Sequence, residues 1–291
     1  MQRRSFLSLA AIVPLLGITT PISEELALPV ELRGGRFFAL PRLATGGTFA
    51  CWLDTDGGGF VFAHAVQRLS LQTRLDGISR LAQLPRFDPT HGVPPLVRDG
   101  GELPIFDPKD SDAADPVLQG FDAQLGGSWF ADRVWRFDFQ RGAMSLRLSA
   151  LPPALANLPL AFDGVYPRTT VTIAGETLAM SLDIAASVVL ASGSGTTVSA
   201  TSFVPRSTFE RWHSEHPEWP VERSVSTLPG VDSIVVPEVR AGTAVFSRVA
   251  FTTRPGDDVF AGSELAGKLG ANAYAGRIVT IDYPNARLRV D

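Results

Sequence analysis

Residues 46–62, GGTFACWLDTDGGGFVF, carry an aspartate, Asp54, at the end of an apolar run, with glycines close behind it. The stretch 175–191, GETLAMSLDIAASVVLA, repeats this pattern 129 residues later. The identical pairs are Gly46 and Gly175, Thr48 and Thr177, Ala50 and Ala179, Leu53 and Leu182, and Asp54 and Asp183. Each copy predicts a strand that ends in Leu-Asp, then small residues, then a second apolar strand.

A second repeat lies further along the chain, at an offset of 144 residues. Residues 125–148, LGGSWFADRVWRFDFQRGAMSLRL, match residues 269–290, LGANAYAGRIVTIDYPNARLRV. The matched pairs are Leu125-Gly126 and Leu269-Gly270, Arg133 and Arg277, Asp138 and Asp282, and Phe139 and Tyr283. Each copy predicts a Leu-Gly element, a loop with aromatic residues, and a two-stranded hairpin.

The repeats occur twice in the same order, which indicates duplication of a whole β lobe. We therefore expect an all-β fold of two similar lobes related by pseudo-twofold symmetry, with few short helices. The predicted lobes are residues 28–150 and 163–291, joined by a proline-bearing linker at 151–162. The best helix candidate is 207–219, where Ser207 and Glu210 suggest a capping box.

Composition limits the classes of partner. The 291 residues include 45% hydrophobic and 19% charged residues, with a net charge of −4. This balance suits a folded globular chain and gives no electrostatic reason to expect nucleic acid or an anionic membrane. Cys51 is the single cysteine. It excludes an internal disulfide, and we expect a buried structural thiol.

The N-terminal segment 1–27 predicts export. Arg3 and Arg4 precede an apolar run that ends near Gly17, the order of a secretory signal. The paired arginines resemble the twin-arginine export signal and predict a periplasmic or secreted protein. A membrane anchor is the alternative, although the run is shorter than the roughly 20 residues of a spanning helix. Membrane association is therefore expected only through an uncleaved signal segment.

Two equivalent aspartates can perform acid–base chemistry if duplication brings them together. Two carboxyl groups a few ångströms apart share one proton, because both cannot ionise cheaply. One can then act as general base on a water while the other protonates a substrate carbonyl. The small residues after Asp54 and Asp183 would let the loops approach closely.

These motifs resemble the aspartic proteases, in the bilobal pepsin-like arrangement, with each lobe similar to a retropepsin subunit. The residues that carry the resemblance are LDTDGG with LGG in the first half, and LDIAAS with LGA in the second. It implies an acid-protease fold and an aspartic endopeptidase without a cofactor, in which Asp54 and Asp183 activate a water to hydrolyse a peptide or protein substrate between the lobes. The residues implied to support the active-site loops are Thr55, Asp56, Gly57, Ile184, Ala185, Ala186, Leu125, Gly126, Leu269 and Gly270.

The sequence departs from the family pattern at three positions. Ile184 stands opposite Thr55, where the family has a second threonine, and Asp56 and Ala185 occupy the glycine positions. The alternative interpretation is therefore a catalytically impaired, peptide-binding module of the cell envelope with the same fold. A third is an unrelated β-rich envelope protein whose two aspartates lie far apart.

Two further features have weaker patterns. Asp99-Gly100 predicts a hairpin turn, and residues 95–105 could cover a substrate or form an unrelated surface hairpin. His213 and His216 lie three residues apart on the helix candidate, but with no third ligand of clear spacing they do not predict a metal site. We expect Trp212 and Trp219 to pack inward from that helix.

Overall fold

The structure is a computed structural model that describes residues 24–107, 120–192, 195–254, 260 and 264–291. Most of the predicted export segment, residues 1–23, lies outside the described residues. In chain order the first half contains β1 (Glu25–Ala27), β2 (Val30–Arg33), β3 (Arg36–Ala39), β4 (Cys51–Leu53), β5 (Phe60–Phe62), β6 (Thr73–Asp76), β7 (Ser79–Gln83), β8 (Glu102–Phe106), β9 (Ala123–Leu125), β10 (Val134–Asp138) and β11 (Ala143–Arg147).

The strands that follow are β12 (Leu158–Pro159), β13 (Ala161–Asp163), β14 (Tyr166–Ile173), β15 (Glu176–Asp183), β16 (Ser187–Ser192), β17 (Gly195–Ala200), β18 (Ser202–Phe203), β19 (Val221–Glu222), β20 (Ser233–Ala241), β21 (Ala244–Thr252), β22 (Gly267–Gly270), β23 (Ile278–Asp282) and β24 (Arg287–Val290). The helices are α1 (Ala63–Leu69), α2 (Gly127–Phe130) and α3 (Arg206–Glu215), with 3-10 turns at Arg98–Gly101 and Ala271–Tyr274. The prediction of an all-β chain with few short helices is confirmed.

Two eight-stranded sheets have equivalent strand orders. The first runs β2-β3-β4-β9-β5-β8-β7-β6, and the second runs β13-β14-β15-β22-β18-β21-β20-β19. In each sheet the strand that leads to the aspartate lies parallel to the strand that leads to the Leu-Gly pair. Leu53 is opposite Leu125 in the first sheet, and Leu182 is opposite Leu269 in the second. The two sequence repeats therefore meet side by side within each sheet.

A six-stranded sheet, β1-β11-β10-β23-β24-β12, joins the two halves. Its central strands β10 and β23 are antiparallel, with Arg136 opposite Thr280. These two residues are 144 positions apart, the same offset as the second repeat. The duplicated hairpins β10–β11 and β23–β24 thus pair with each other at equivalent positions.

The main core crosses both halves, and a smaller aromatic cluster lies where they meet. Trp135 and Phe137 of β10 and Ile281 of β23 are at most 1% exposed. The smaller cluster contains Phe38, Trp52, Phe62, Phe121 and Ala185, with Val189 and Val198 of the β16–β17 hairpin packed against it. Burial of such side chains contributes about 25 cal/mol per Å² of apolar surface. The apolar contacts therefore stabilise the two halves as one body.

Helix α3 differs in part from the prediction. It begins at Arg206, after Pro205, and no side chain caps its first turn. Glu210 instead accepts hydrogen bonds from Arg206 (3.5 Å) and Arg223 (3.1 Å), so the predicted capping box is wrong. Trp212 and Trp219 are buried as expected, at 1% and 7% exposure.

The predicted hairpin turn at Asp99-Gly100 is also wrong. Strand β8 pairs with β7, and the long segment 84–101 lies between them. Asp99 and Gly100 adopt positive φ values of 56° and 66° within a 3-10 turn. The Arg98 guanidinium holds this turn by two hydrogen bonds of 2.8 Å to the Asp132 carboxylate. The residues predicted to cover a substrate therefore do not form a paired hairpin.

Three other segments have definite places. Cys51 is a fully buried free thiol, as predicted, and burial raises its pKa well above the ordinary value. Residues Glu25–Ala27, at the end of the predicted export segment, pair with β11. Within the predicted linker 151–162, Leu158–Pro159 pairs with β24 and extends the six-stranded sheet.

The two Leu-Gly elements need glycine because other backbone atoms lie against them. A Cβ atom on Gly126 would lie 2.3 Å from the Gly57 carbonyl oxygen, and one on Gly270 would lie 1.7 Å from that of Thr201. The φ angles of Gly126 (−98°) and Gly270 (−91°) are open to any residue. The constraint is therefore steric contact rather than backbone conformation.

We expect Gly270→Ala to lower the free energy of unfolding by at least about 2 kcal/mol, because the methyl group has no space without a backbone shift. Gly58→Ala is the matched control, since no heavy atom lies within 4 Å of its Cβ position. It should change stability by about 0.5 kcal/mol or less. Urea unfolding of both variants measures the difference, and equal effects would contradict the steric explanation.

Candidate functional site

The loops that follow the two predicted aspartates meet at the junction of the halves. Thr55 is fully buried, and its hydroxyl donates a hydrogen bond of 2.5 Å to the Leu182 carbonyl oxygen. The same hydroxyl accepts a 3.2 Å hydrogen bond from the Ile184 backbone N–H. One threonine thus makes both hydrogen bonds between the loops. Ile184, its counterpart in the second half, has no hydroxyl and cannot make the equivalent bonds to the first loop.

Each aspartate holds its own loop in the same way. Asp54 Oδ1 accepts a hydrogen bond from the Asp56 backbone N–H, and Asp183 Oδ1 accepts one from the Ala185 N–H, both at 3.0 Å. The Asp54 N–H also donates to the Leu125 carbonyl oxygen at 3.0 Å. Leu125 and Leu269 are buried beside these strand ends. The local geometry of the two copies is therefore equivalent.

The small residues after each aspartate pack against the Leu-Gly element of their own half. A Cβ atom on Gly57 would lie 2.1 Å from Asp54 Oδ2, and one on Gly270 would lie 3.1 Å from the Ala186 Cβ. Ala185 and Ala186 are 3% exposed. The close contacts of Gly57 and Ala186 therefore lie within their own halves, whereas Ala185 packs against the aromatic cluster of the first half.

A lysine that the sequence analysis missed lies among the carboxylates. Lys268 Nζ is 2.7 Å from Asp56 Oδ2 and 3.6 Å from Asp183 Oδ2. Ser181 Oγ donates a further hydrogen bond of 2.9 Å to Asp56 Oδ2. The side chains of Asp56, Asp183 and Lys268 are 9%, 10% and 14% exposed. We call Asp54, Asp56, Asp183 and Lys268 the junction cluster.

Gln124 occupies the equivalent position in the first half. Its Nε2 donates hydrogen bonds to Asp54 Oδ2 (3.1 Å) and the Gly58 carbonyl oxygen (2.7 Å). Gln124 and Lys268 immediately precede the two Leu-Gly elements and are 144 residues apart. Extending the second repeat by one residue would have placed Lys268 opposite Gln124 and identified both.

Burial and mutual repulsion shift the pKa values of side chains in the junction cluster. Burial raises the pKa of Asp54 well above its ordinary value, and the nearby Asp183 carboxylate raises it further. Burial and Asp183 also raise the pKa of Asp56, although Lys268 partly opposes this. Burial lowers the pKa of Lys268, but Asp183 and Asp56 outweigh that effect and the net shift is upward. The lysine therefore stays protonated at neutral pH.

The position of Lys268 conflicts with a proton shared by two equivalent carboxyl groups. The Lys268 ammonium forms an ion pair with Asp56 and lies 3.6 Å from Asp183, and it opposes part of the upward shift in the pKa of Asp56. Asp54 instead faces the amide of Gln124, and burial favours its protonated form. The three carboxyl groups consequently have unequal environments. Lys268 forms an ion pair at the position at which a symmetric aspartate pair would bind only water and substrate.

No family model matches the sequence, and no curated protein matches it. Solved structures do share its fold. Conglutin gamma, described as a basic 7S globulin from lupine seeds, has a TM-score of 0.52 at 11% identity, covering 92% of this chain and 94% of that one. Basic 7S globulin from soybean has a TM-score of 0.50 at 10% identity, covering 91% and 93%.

These comparisons correct the resemblance to the aspartic proteases. These two structures, which match along nearly the whole chain, are named as 7S globulins, not as pepsin-like or retropepsin-like peptidases. The prediction of an aspartic endopeptidase, and with it peptide hydrolysis by an Asp54–Asp183 pair, is therefore wrong. The ion pair of Lys268 with Asp56 and Asp183 supplies a physical reason. At these identities the likeness describes the fold alone.

The remaining features add no chemistry to the junction. His216 stacks on Trp219 with ring centroids 4.2 Å apart. Among residues 24–291, excluding the stretches not described, no three His, Cys, Asp or Glu side chains are grouped as metal ligands would be. None of the helices in the described part of the chain has the length and apolar character needed to cross a membrane.

We expect Asp54→Asn to raise the free energy of unfolding at pH 7. Because the pKa of Asp54 is higher in the folded protein than its ordinary 3.8, the folded state binds the extra proton. Its contribution to stability therefore falls as pH rises from the unfolded pKa through the folded one. Asparagine removes this loss. The gain in stability is therefore expected to be clear at pH 7 and small near pH 4.

Asp232→Asn is the contrasting variant. Burial would raise the pKa of Asp232, but hydrogen bonds from the Ser224 N–H and the Arg206 and Arg223 guanidinium groups lower it to about 2. This carboxylate stabilises the fold above pH 3.8 and loses that contribution as pH falls towards 2. Its removal should lower stability at pH 7. Urea unfolding at pH 4 and pH 7 measures both variants, and a shift of the same sign at pH 7 would contradict the assignment.

Proposed function

We propose that this chain is a non-hydrolytic binding protein that holds an extended polypeptide at the junction of two similar lobes. The observation that carries the proposal is the ion pair of Lys268 with Asp56 and Asp183, which replaces a proton-sharing pair by a fixed set of charges. Titratable groups whose pKa values are shifted by burial and by specific charged partners often mark functional sites. We therefore assign the junction cluster to binding of a polypeptide rather than to its hydrolysis.

Two similar lobes related by an approximate twofold axis are part of this proposal. The equivalent strand orders of the two eight-stranded sheets support it. So does the pairing of Arg136 with Thr280, which sets equivalent residues opposite each other. In such an arrangement the Asp54 and Asp183 loops lie next to the axis, where one ligand can contact both lobes.

An extended polypeptide suits the end strands of the two eight-stranded sheets. The first eight-stranded sheet ends in β6, and the second ends in β19 at one edge and β13 at the other. All four residues of β6 are exposed. An edge strand offers unpaired backbone groups to an incoming strand, so main-chain hydrogen bonds can supply affinity while the junction cluster supplies specificity.

We also propose that the protein acts outside the cytoplasm. The support is the paired arginines Arg3 and Arg4 followed by an apolar run, the pattern of twin-arginine export. This route carries folded proteins, so the polypeptide ligand would be met in the periplasm or the medium.

Incubation with blocked synthetic nonapeptides of alternating Val and Thr, with a central Lys or norleucine, tests binding and cleavage together. We expect saturable binding by calorimetry and peptides of unchanged mass after incubation from pH 3 to pH 8. Bovine serum albumin at the same concentration is the control for non-specific binding. Cleaved peptide would overturn the non-hydrolytic assignment, and absence of binding to both peptides would overturn the binding function.

A further inference from the structure

We propose that the polypeptide ligand presents a basic side chain, lysine or arginine, which binds the Asp54 carboxylate beside Gln124 while the Trp52 indole N–H donates to a ligand carbonyl oxygen. This inference rests on the proposed binding function and specifies its ligand. It uses two independent features, the excess of carboxyl groups at the junction and an unpartnered donor next to them.

The junction cluster contains more carboxyl groups than cationic groups. Three carboxyl groups, those of Asp54, Asp56 and Asp183, surround the one ammonium of Lys268. The lysine forms its ion pairs with Asp56 and Asp183, whereas the hydrogen bond at Asp54 Oδ2 comes from the neutral amide of Gln124. A ligand cation beside Asp54 would stabilise the carboxylate form of a group that forms no ion pair with the described residues of the protein.

The second feature is the indole of Trp52. Its side chain is buried, with the residue 7% exposed, and its Nε1–H has no hydrogen-bond partner among the described residues. Trp52 is in direct register with Gln124 in the parallel pair β4–β9. Residues in register lie on the same sheet face, so the indole and the Gln124 amide face the same side. An unpartnered buried donor is costly, and a ligand carbonyl would satisfy it.

The glycine loop beside Asp54 is accessible to solvent. Gly58 is exposed and Asp54 is only partly buried, so the carboxylate is within reach of solvent. Phe60, partly buried, is opposite Gln124 in the antiparallel pair β5–β9 and therefore lies on the same face. Its ring offers an apolar surface to the methylene chain of a lysine or arginine. The site thus contacts the stem, the charged end and the backbone of one ligand residue.

Binding of the cation should be linked to release of a proton. Asp54 gives up its proton to buffer when the ligand ammonium or guanidinium arrives, because an adjacent positive charge favours the carboxylate. No bond other than this O–H bond breaks. Affinity for a basic ligand should therefore rise with pH, whereas affinity for a neutral ligand of the same shape should not.

The test is calorimetric titration of the whole exported protein with the two nonapeptides, one with central lysine and one with norleucine, from pH 4.5 to pH 8. We expect the lysine peptide to bind at least about tenfold more tightly than the norleucine peptide at pH 8, a difference that shrinks at low pH. Heats measured in buffers of different ionisation enthalpy should show proton release for the lysine peptide alone.

Three variants separate the roles. Asp54→Asn should abolish the preference for lysine and the proton release, so that the two peptides bind with similar affinity. Trp52→Phe, which keeps the ring and removes the N–H, should weaken both peptides by a similar factor. Glu238→Gln removes an exposed carboxylate that pairs with Arg240 at 2.6 Å, and it should change neither affinity.

The outcomes distinguish this inference from the function on which it rests. Equal affinity of the wild-type protein for both peptides at every pH would overturn the basic-ligand site and leave the binding function standing. No binding of either peptide would overturn both. If Asp54→Asn does not fold, the pH dependence of the wild-type preference still decides, because a preference constant from pH 4.5 to pH 8 contradicts a titrating carboxyl group.

Discussion

The hydroxyl of Thr55 is the contact on which the geometry of the junction depends. It donates to the Leu182 carbonyl oxygen and accepts from the Ile184 N–H, so one buried group fixes the first loop against both sides of the second. Buried backbone groups need partners, and the fully buried Thr55 hydroxyl is the partner of both of these groups. The position of Asp54 relative to Asp183, and the reach of Lys268 to Asp56, follow from that contact.

The glycines determine the spacing of the strands and loops at the junction, and the side chains before them determine its charges. Gly126 and Gly270 permit the Leu-Gly strands to touch the backbone of the neighbouring loops, which sets the spacing. Gln124 and Lys268, two residues before these glycines, then place an amide and an ammonium against equivalent carboxylates. A duplicated framework thus carries a site whose halves differ in charge, and the raised pKa of Asp54 follows from burial beside Asp183 without a cation of its own.

Much of the architecture could be predicted from short repeats, because strand ends, glycine contacts and hairpins leave marks at fixed offsets. The Leu-Asp and Leu-Gly elements were found this way, and they pair as Leu53 with Leu125 and Leu182 with Leu269. The prediction of a hairpin at Asp99-Gly100 failed because a turn dipeptide does not show which strands pair. Strand β8 pairs with β7, which lies before the long segment 84–101. The capping box at Ser207 failed because Glu210 pairs with arginines instead.

The chemistry of the junction could not be predicted from the aspartates alone. A carboxyl pair indicates hydrolysis only when no other charged side chain lies beside it. The charged side chain that lies beside this pair is that of Lys268, 85 positions after Asp183 in the sequence. Its approach depends on parallel pairing of β15 with β22, which sets Lys268 in register with Ser181 and directs both side chains to Asp56. Function at such a site is therefore decided by the register of neighbouring strands, because register selects which side chains share the face with the carboxylates.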